Sequence, residues 1–128
     1  SGVNFKNISS TTVGQIVVNS ASTAYNTTSD YRLKENVQPL AGAVNRIKAL
    51  RPVTYTWKDT TTTGEGFIAH ELQEVVPEAV TGTKDEVDEE GNPIYQGIDT
   101  SFLVATLTKA LQEAVARIEA LEAKLGEK

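Results

Sequence analysis

The chain has 128 residues, a formal net charge of −5, a pI near 4.9 and no cysteine. Such an acidic chain lacks the basic face that an electrostatic nucleic-acid binder needs, and without thiols it has neither a disulfide framework nor a thiolate metal site. No apolar run approaches the roughly 20 residues that span a bilayer, and the first residues lack the basic and apolar regions of a signal peptide.

Residues 1–28 are rich in small polar side chains: Ser, Thr and Asn supply 14 of the 28, and Lys6 is the one charge. Val3, Phe5 and Ile8, then Val13 and Ile16-Val17-Val18, form short β-type clusters between polar runs. Alone, the segment buries too little to fold. It reads as the end of a larger β-rich body or as strands that pair between chains, with a disordered linker as the plainer alternative.

From residue 30 the pattern changes. Leu40, Val44, Ile47 and Leu50 share one helical face, so a helix is expected from Pro39 to Leu50, with Pro39 at its start. Arg51-Pro52 ends it, because the residue before a proline disfavours the α region. Val53, Tyr55 and Trp57 alternate with Thr54 and Thr56 as a half-buried strand. Lys58–Gly66 reads as a polar turn, Gly66–Ala69 as a short buried strand, and His70–Val76 as a short helix stopped before Pro77. Ala79–Thr81 is a further short strand, and Lys84–Ile98 a hairpin turning at Glu90-Gly91-Asn92-Pro93.

Asp99 can cap a last helix, expected over 98–126 with Gly126 past its end. On it Val104, Leu111, Ile118 and Leu125 recur every seven residues, with Leu107, Ala114 and Leu121 between them. That alternation is a coiled-coil seam. Flanking positions are apolar at Ala110 and Val115 and charged at Arg117 and Glu122, the spacing of an interchain ion pair. The widened stripe points to more than two helices. Packing of the stripe on the chain's own domain is the competing reading, but that domain is too small to cover about three heptads.

The chemistry-bearing stretch is Ser29-Asp30-Tyr31-Arg32-Leu33-Lys34-Glu35-Asn36-Val37. A serine hydroxyl becomes a nucleophile when a base takes its proton, and a lysine amine can serve if desolvation or a nearby cation lowers its pKa. Arg32 acts in that direction and Glu35 against it. A spacing of five sets two side chains about 140° apart on a helix and on opposite faces of a strand. A direct Ser29–Lys34 contact therefore needs a sharp turn, or Ser29 of one chain meeting Lys34 of a neighbour. Read without that contact, Ser29 is an exposed linker residue and Lys34 a solvated surface charge. Asp30 either orients Lys34 or hydrogen-bonds locally in a turn, the latter being simpler. His70, the one histidine, could orient the Ser29–Thr28 region or line a subunit contact, though an ordinary helix-start histidine is simpler still. Glu86, Asp88, Glu90 and Gly91 echo half of a calcium loop, but positions 86 and 97 depart from that pattern and an acidic hairpin rim fits better. No metal and no cofactor is expected.

The same stretch strongly resembles the signature that opens the self-cleaving C-terminal intramolecular chaperone domain of phage tailspikes, tail fibres and neck appendages, of the endosialidase type. The likeness continues through 47–57, through 66–80 and along the helix from Asp99, in the same order, and so covers residues 29–125. Position 70 departs from it, since many relatives carry Gln where this chain has His70. The resemblance implies an α+β domain over 29–128, with a β-hairpin and a long coiled-coil helix, following a β-rich fibre segment over 1–28. It implies a homotrimer that registers the upstream shaft of the same chain. It also implies a single-turnover serine autoprotease, with Ser29 as nucleophile, Lys34 as base and Thr28–Ser29 as the bond cut. The expected setting is the host cytoplasm during assembly, the shaft going to the virion tail. A non-proteolytic trimerisation or host-binding tip is the rival reading, and a host-encoded protein releasing its N-terminal part a third.

Overall fold

In the computed structural model, which describes residues 1–127, β-branched and threonine-rich segments open the chain as strands. The described residues divide into two compact units, 1–39 and 40–127. In the first, β1 (Gly2–Lys6), β2 (Thr12–Val18) and β3 (Thr23–Thr27) form an antiparallel meander in that order. Val3 pairs with Ile16 and Ile16 with Tyr25, which puts the three side chains on one face. A register shift between Phe5 and Lys6 marks a bulge. The β1–β2 loop closes on the Asn7 carboxamide oxygen, which accepts from the amides of Ser9 and Thr11 at 3.0 Å each. No residue of this unit is buried, as its polar composition requires.

The second unit holds α1 (Ala43–Ala49), a hairpin of β4 (Val53–Thr56) and β5 (Thr63–Gly66), and α2 (Ala69–Val75). A 3-10 turn over Pro77–Ala79 leads to β6 (Val80–Thr81), which pairs with β7 (Gly97–Ile98). A second 3-10 turn, Thr100–Leu103, runs into α3 (Val104–Gly126). Its core is Leu72, Val76, Ala79, Val80 and Leu103, with Leu50, Phe67, Ala69 and Val75 packed around it. The Asp99 amide donates to the Ala79 carbonyl at 2.8 Å and so ties the start of the helical arm to that core. Arg51, just after α1, donates from Nε and Nη2 to the Glu71 carboxylate on α2 at 2.6 and 2.7 Å.

The α+β class and the long C-terminal helix hold, while several boundaries move. The helix expected from Pro39 starts at Ala43, because Gly42 sits in the left-handed region at φ 71° and interrupts the pattern. The strand expected at Gly66–Ala69 lies instead at Thr63–Gly66. Its register puts Gly64 opposite Tyr55, where a Cβ would meet the Tyr55 ring at 2.7–2.8 Å. Phe67 is left to the core and Ala69 to the start of α2. Over Lys84–Ile98 the hairpin turn contains one bridge, Val87–Pro93, and Gly97–Ile98 leaves it to pair with β6. Asp99 caps the 3-10 turn ahead of α3 by accepting from the Ser101 amide at 2.9 Å, and Gly126 is still helical.

α3 has two distinct faces. Leu103 in the preceding turn, then Thr106 and Ala110, are buried, and the helix packs along α1, whose buried residue is Ala43. Val104, Leu107, Leu111, Ile118, Leu121 and Leu125 are all exposed, and Ala114 is half-buried. The heptad stripe is thus not spent on the chain's own domain. No described helix is long and apolar enough to cross a membrane.

Candidate functional site

Upstream of Ser29 the chain is held by the sheet. The Thr28 amide donates to the Val13 carbonyl at 3.0 Å, and the hydroxyls of Thr27 and Thr28 reach the same oxygen at 3.4 Å. Downstream the chain turns at once. Asp30 has extended backbone and caps a 3-10 turn over Tyr31–Leu33, which is closed by the Leu33 amide on the Asp30 carbonyl and the Lys34 amide on the Tyr31 carbonyl, both at 3.1 Å.

The Asp30 carboxylate accepts from the Arg32 amide at 2.8 Å, from Arg32 Nε at 2.9 Å and from Nη2 at 3.0 Å. One acidic side chain therefore caps the turn and grips the side chain two residues on. The Arg32 hydrogen bonds, from side chain and then backbone, hold the Asp30 carboxyl below the usual aspartate range, and Asp30 raises Arg32 in return. The turn sends Lys34 back: its Nζ donates to Ser29 Oγ at 2.5 Å within the same chain. The sharp turn, one of the two routes open at a spacing of five, is the one the single chain takes.

One feature of the sequence reading changes, and the choice left open at Asp30 falls on the simpler side. Arg32 was expected to act on the Lys34 amine, yet its guanidinium is paired with Asp30, because a two-residue spacing across a 3-10 turn brings the fork onto the carboxylate. Asp30 itself makes the turn rather than contacting Lys34. Val13 was legible as a strand residue but not as the anchor of Thr28, since its closeness to Thr28 depends on the β2–β3 register and leaves no mark on local pattern.

Ser29, Asp30, Arg32 and Lys34 are all exposed, as are Tyr31, Leu33 and Val37 around them. The single chain brings the Ser29 hydroxyl and the Lys34 amine together without burying either. His70 belongs to the second unit, at the start of α2, beside a cleft of about 400 Å³ that Lys84, Asp85, Ile94 and Gln96 also line. Asp88 spends its carboxylate inside its loop, accepting from the amides of Glu90 and Asn92 at 2.9 Å each. Among the described residues no group of three or more His, Cys, Asp or Glu side chains is placed to hold a metal.

Residues 29–81 match the model of a peptidase family described as chaperone of endosialidase, the family whose signature the Ser29–Val37 stretch resembles. The chain is also 34% identical over 102 residues to the long tail fiber protein Gp37 of Enterobacteria phage K3 and to that of Enterobacteria phage T2. These matches take in 76% of this chain and only 8% and 7% of the two relatives. The chain therefore spans less than a tenth of the length of the curated relatives it matches.

Proposed function

We propose that this chain is a folding domain of a phage fibre, that it brings three copies together through the α3 stripe, and that it then severs its own Thr28–Ser29 bond. The observation that carries the reading is the 2.5 Å approach of Lys34 Nζ to Ser29 Oγ, next to a Thr28 held on the sheet. The family match supports the chaperone role, and the fibre relatives support a shaft of the same chain as its client and a virion tail as that shaft's destination.

The chemistry follows from the positions. A neutral Lys34 amine takes the Ser29 hydroxyl proton as Oγ bonds to the Thr28 carbonyl carbon. The carbon–nitrogen bond breaks, the Ser29 nitrogen takes up a proton, and an ester joins Thr28 to Ser29 Oγ. Water then cleaves the ester, leaving a Thr28 carboxylate and a Ser29 hydroxyl beside a free amino terminus. Lysine is mostly protonated in water, so the base must be desolvated, and the single chain leaves the pair exposed. Neighbouring copies supply that desolvation, so cutting waits for assembly. Helices joined at the C-terminal end raise the effective concentration of upstream strands with long loop-closure distances.

Mass spectrometry of freshly made precursor, including upstream shaft, tests the reading. A new N-terminus at Ser29 is expected in the unmodified chain and in His70→Gln, and full-length chain in Ser29→Ala and Lys34→Ala. Intact precursor in all four would leave the non-proteolytic trimerisation or host-binding tip.

A further inference from the structure

Resting on that reading, we infer that Asp30 and Arg32 form a positioning clamp that holds Lys34 against Ser29. Neither touches the bond to be cut. A spacing of five keeps a serine and a lysine apart in a regular helix or strand, so something must hold the irregular path. In this chain the path is one 3-10 turn without a buried residue, and packing cannot be what fixes it. What does fix it is the set of three donors that Arg32 gives to the Asp30 carboxylate. With Thr28 anchored on Val13, the Thr28–Ser29 bond lies between a sheet on one side and a capped turn on the other.

The three bonds can be separated by substitution. Asp30→Ala removes every acceptor. Asp30→Asn keeps an oxygen for the Arg32 amide but loses the charged fork. Arg32→Ala keeps the backbone donor and loses the same fork. A side-chain cap is worth about a factor of five in the population of a turn, and a charge-assisted fork adds to it.

The test measures cleavage of the full chain by mass spectrometry in these variants, with thermal melting and oligomeric state as folding controls. Asp30→Ala is expected to cut about tenfold more slowly than the unmodified chain, with Asp30→Asn and Arg32→Ala recovering most of the rate. A second measurement needs no cleavage: in the Ser29→Ala background, the nuclear Overhauser contact between the residue 29 β protons and the Lys34 ε protons is expected, and is expected to vanish when Asp30→Ala is added. Unaltered cutting and an unaltered contact in Asp30→Ala would overturn the clamp. So would Asp30→Asn failing as completely as Asp30→Ala, which would make charge rather than geometry the requirement. If the unmodified chain never cuts, the protease reading falls and the proton contact alone decides the clamp.

Discussion

Leu111 gives the sharpest test of the assembly step, because the structure predicts a large cost for the assembled chain and almost none for the free one. Its side chain is 64% exposed on α3, on the stripe it shares with Val104, Ile118 and Leu125. Full burial of a leucine is worth about 1.5–3 kcal/mol, so covering the exposed part contributes about 1–2 kcal/mol per helix. Leu111→Ala forfeits most of that three times in a trimer, about 3–6 kcal/mol, or about 100- to 20,000-fold in the association constant. In the isolated chain the same change touches no core residue and costs within about 0.5 kcal/mol. Sedimentation velocity across a dilution series reads the association, and the melting temperature at each concentration reads its linkage to stability. The unmodified chain is expected to melt higher as concentration rises, and Leu111→Ala to lose that dependence at low concentration. On the proposed function, cleavage at Ser29 should slow in step. Unchanged association in Leu111→Ala would refute the argument that this face is a seam.

Other expectations concern the second unit by itself. Leu72→Ala, at a side chain 2% exposed in the centre of the core, should cost about 2–5 kcal/mol in urea unfolding. Gly64→Val should destabilise the β4–β5 hairpin, seen as faster amide exchange at Trp57, whose amide donates to the Thr62 carbonyl across the hairpin, because the added Cβ falls on the Tyr55 ring. Acid should weaken both units with one sign. Asp30, Glu71, Asp88 and Asp99 all have carboxyls lowered by hydrogen bonds in the fold. Their stabilisation is present above the ordinary carboxyl range, near pH 4, and is lost as pH falls through the lower folded values. A melting temperature that is flat above about pH 5 and drops below pH 4 is the expected profile.

How far the fold could be read from the sequence follows from what decides each element. Alternation of Val53 and Tyr55 and the stop at Pro77 are local, and strand and helix stand where those patterns put them. The start of α1 depended on the backbone sign at Gly42, which leaves the Leu40–Leu50 periodicity intact while cutting the helix short. The partner of β4 depended on which strand could lie beside the Tyr55 ring. Thr63-Gly64-Glu65-Gly66 can do so for want of a side chain, the opposite of what a search for buried apolar runs selects. The heptads of α3 were legible because the spacing runs for several turns. Ala110, which its spacing had placed in the widened stripe, is instead buried with Thr106 inside the chain's own unit, and Thr106 is a polar residue that apolar spacing does not select.

The site divides along the same line. Ser29 and Lys34 could be named from their chemistry and the motif around them, and the spacing of five already demanded a turn or a second chain. What the spacing could not reveal is that the charged residues between them are the means of turning. Arg32, read as a cation acting on Lys34, is paired with Asp30 at 2.9 Å, and that pairing folds the segment. The arrangement has a consequence for control. A local turn brings the two side chains together in each chain separately, so proximity alone cannot make cutting wait for assembly. On the proposed function the delay comes instead from the solvent around the exposed pair, and hence from whatever covers it. Tyr31, Leu33 and Val37, apolar and exposed around the turn, are side chains that a neighbouring copy can cover along with Lys34. On the proposed function, geometry is then set early and chemistry withheld until copies of the chain meet.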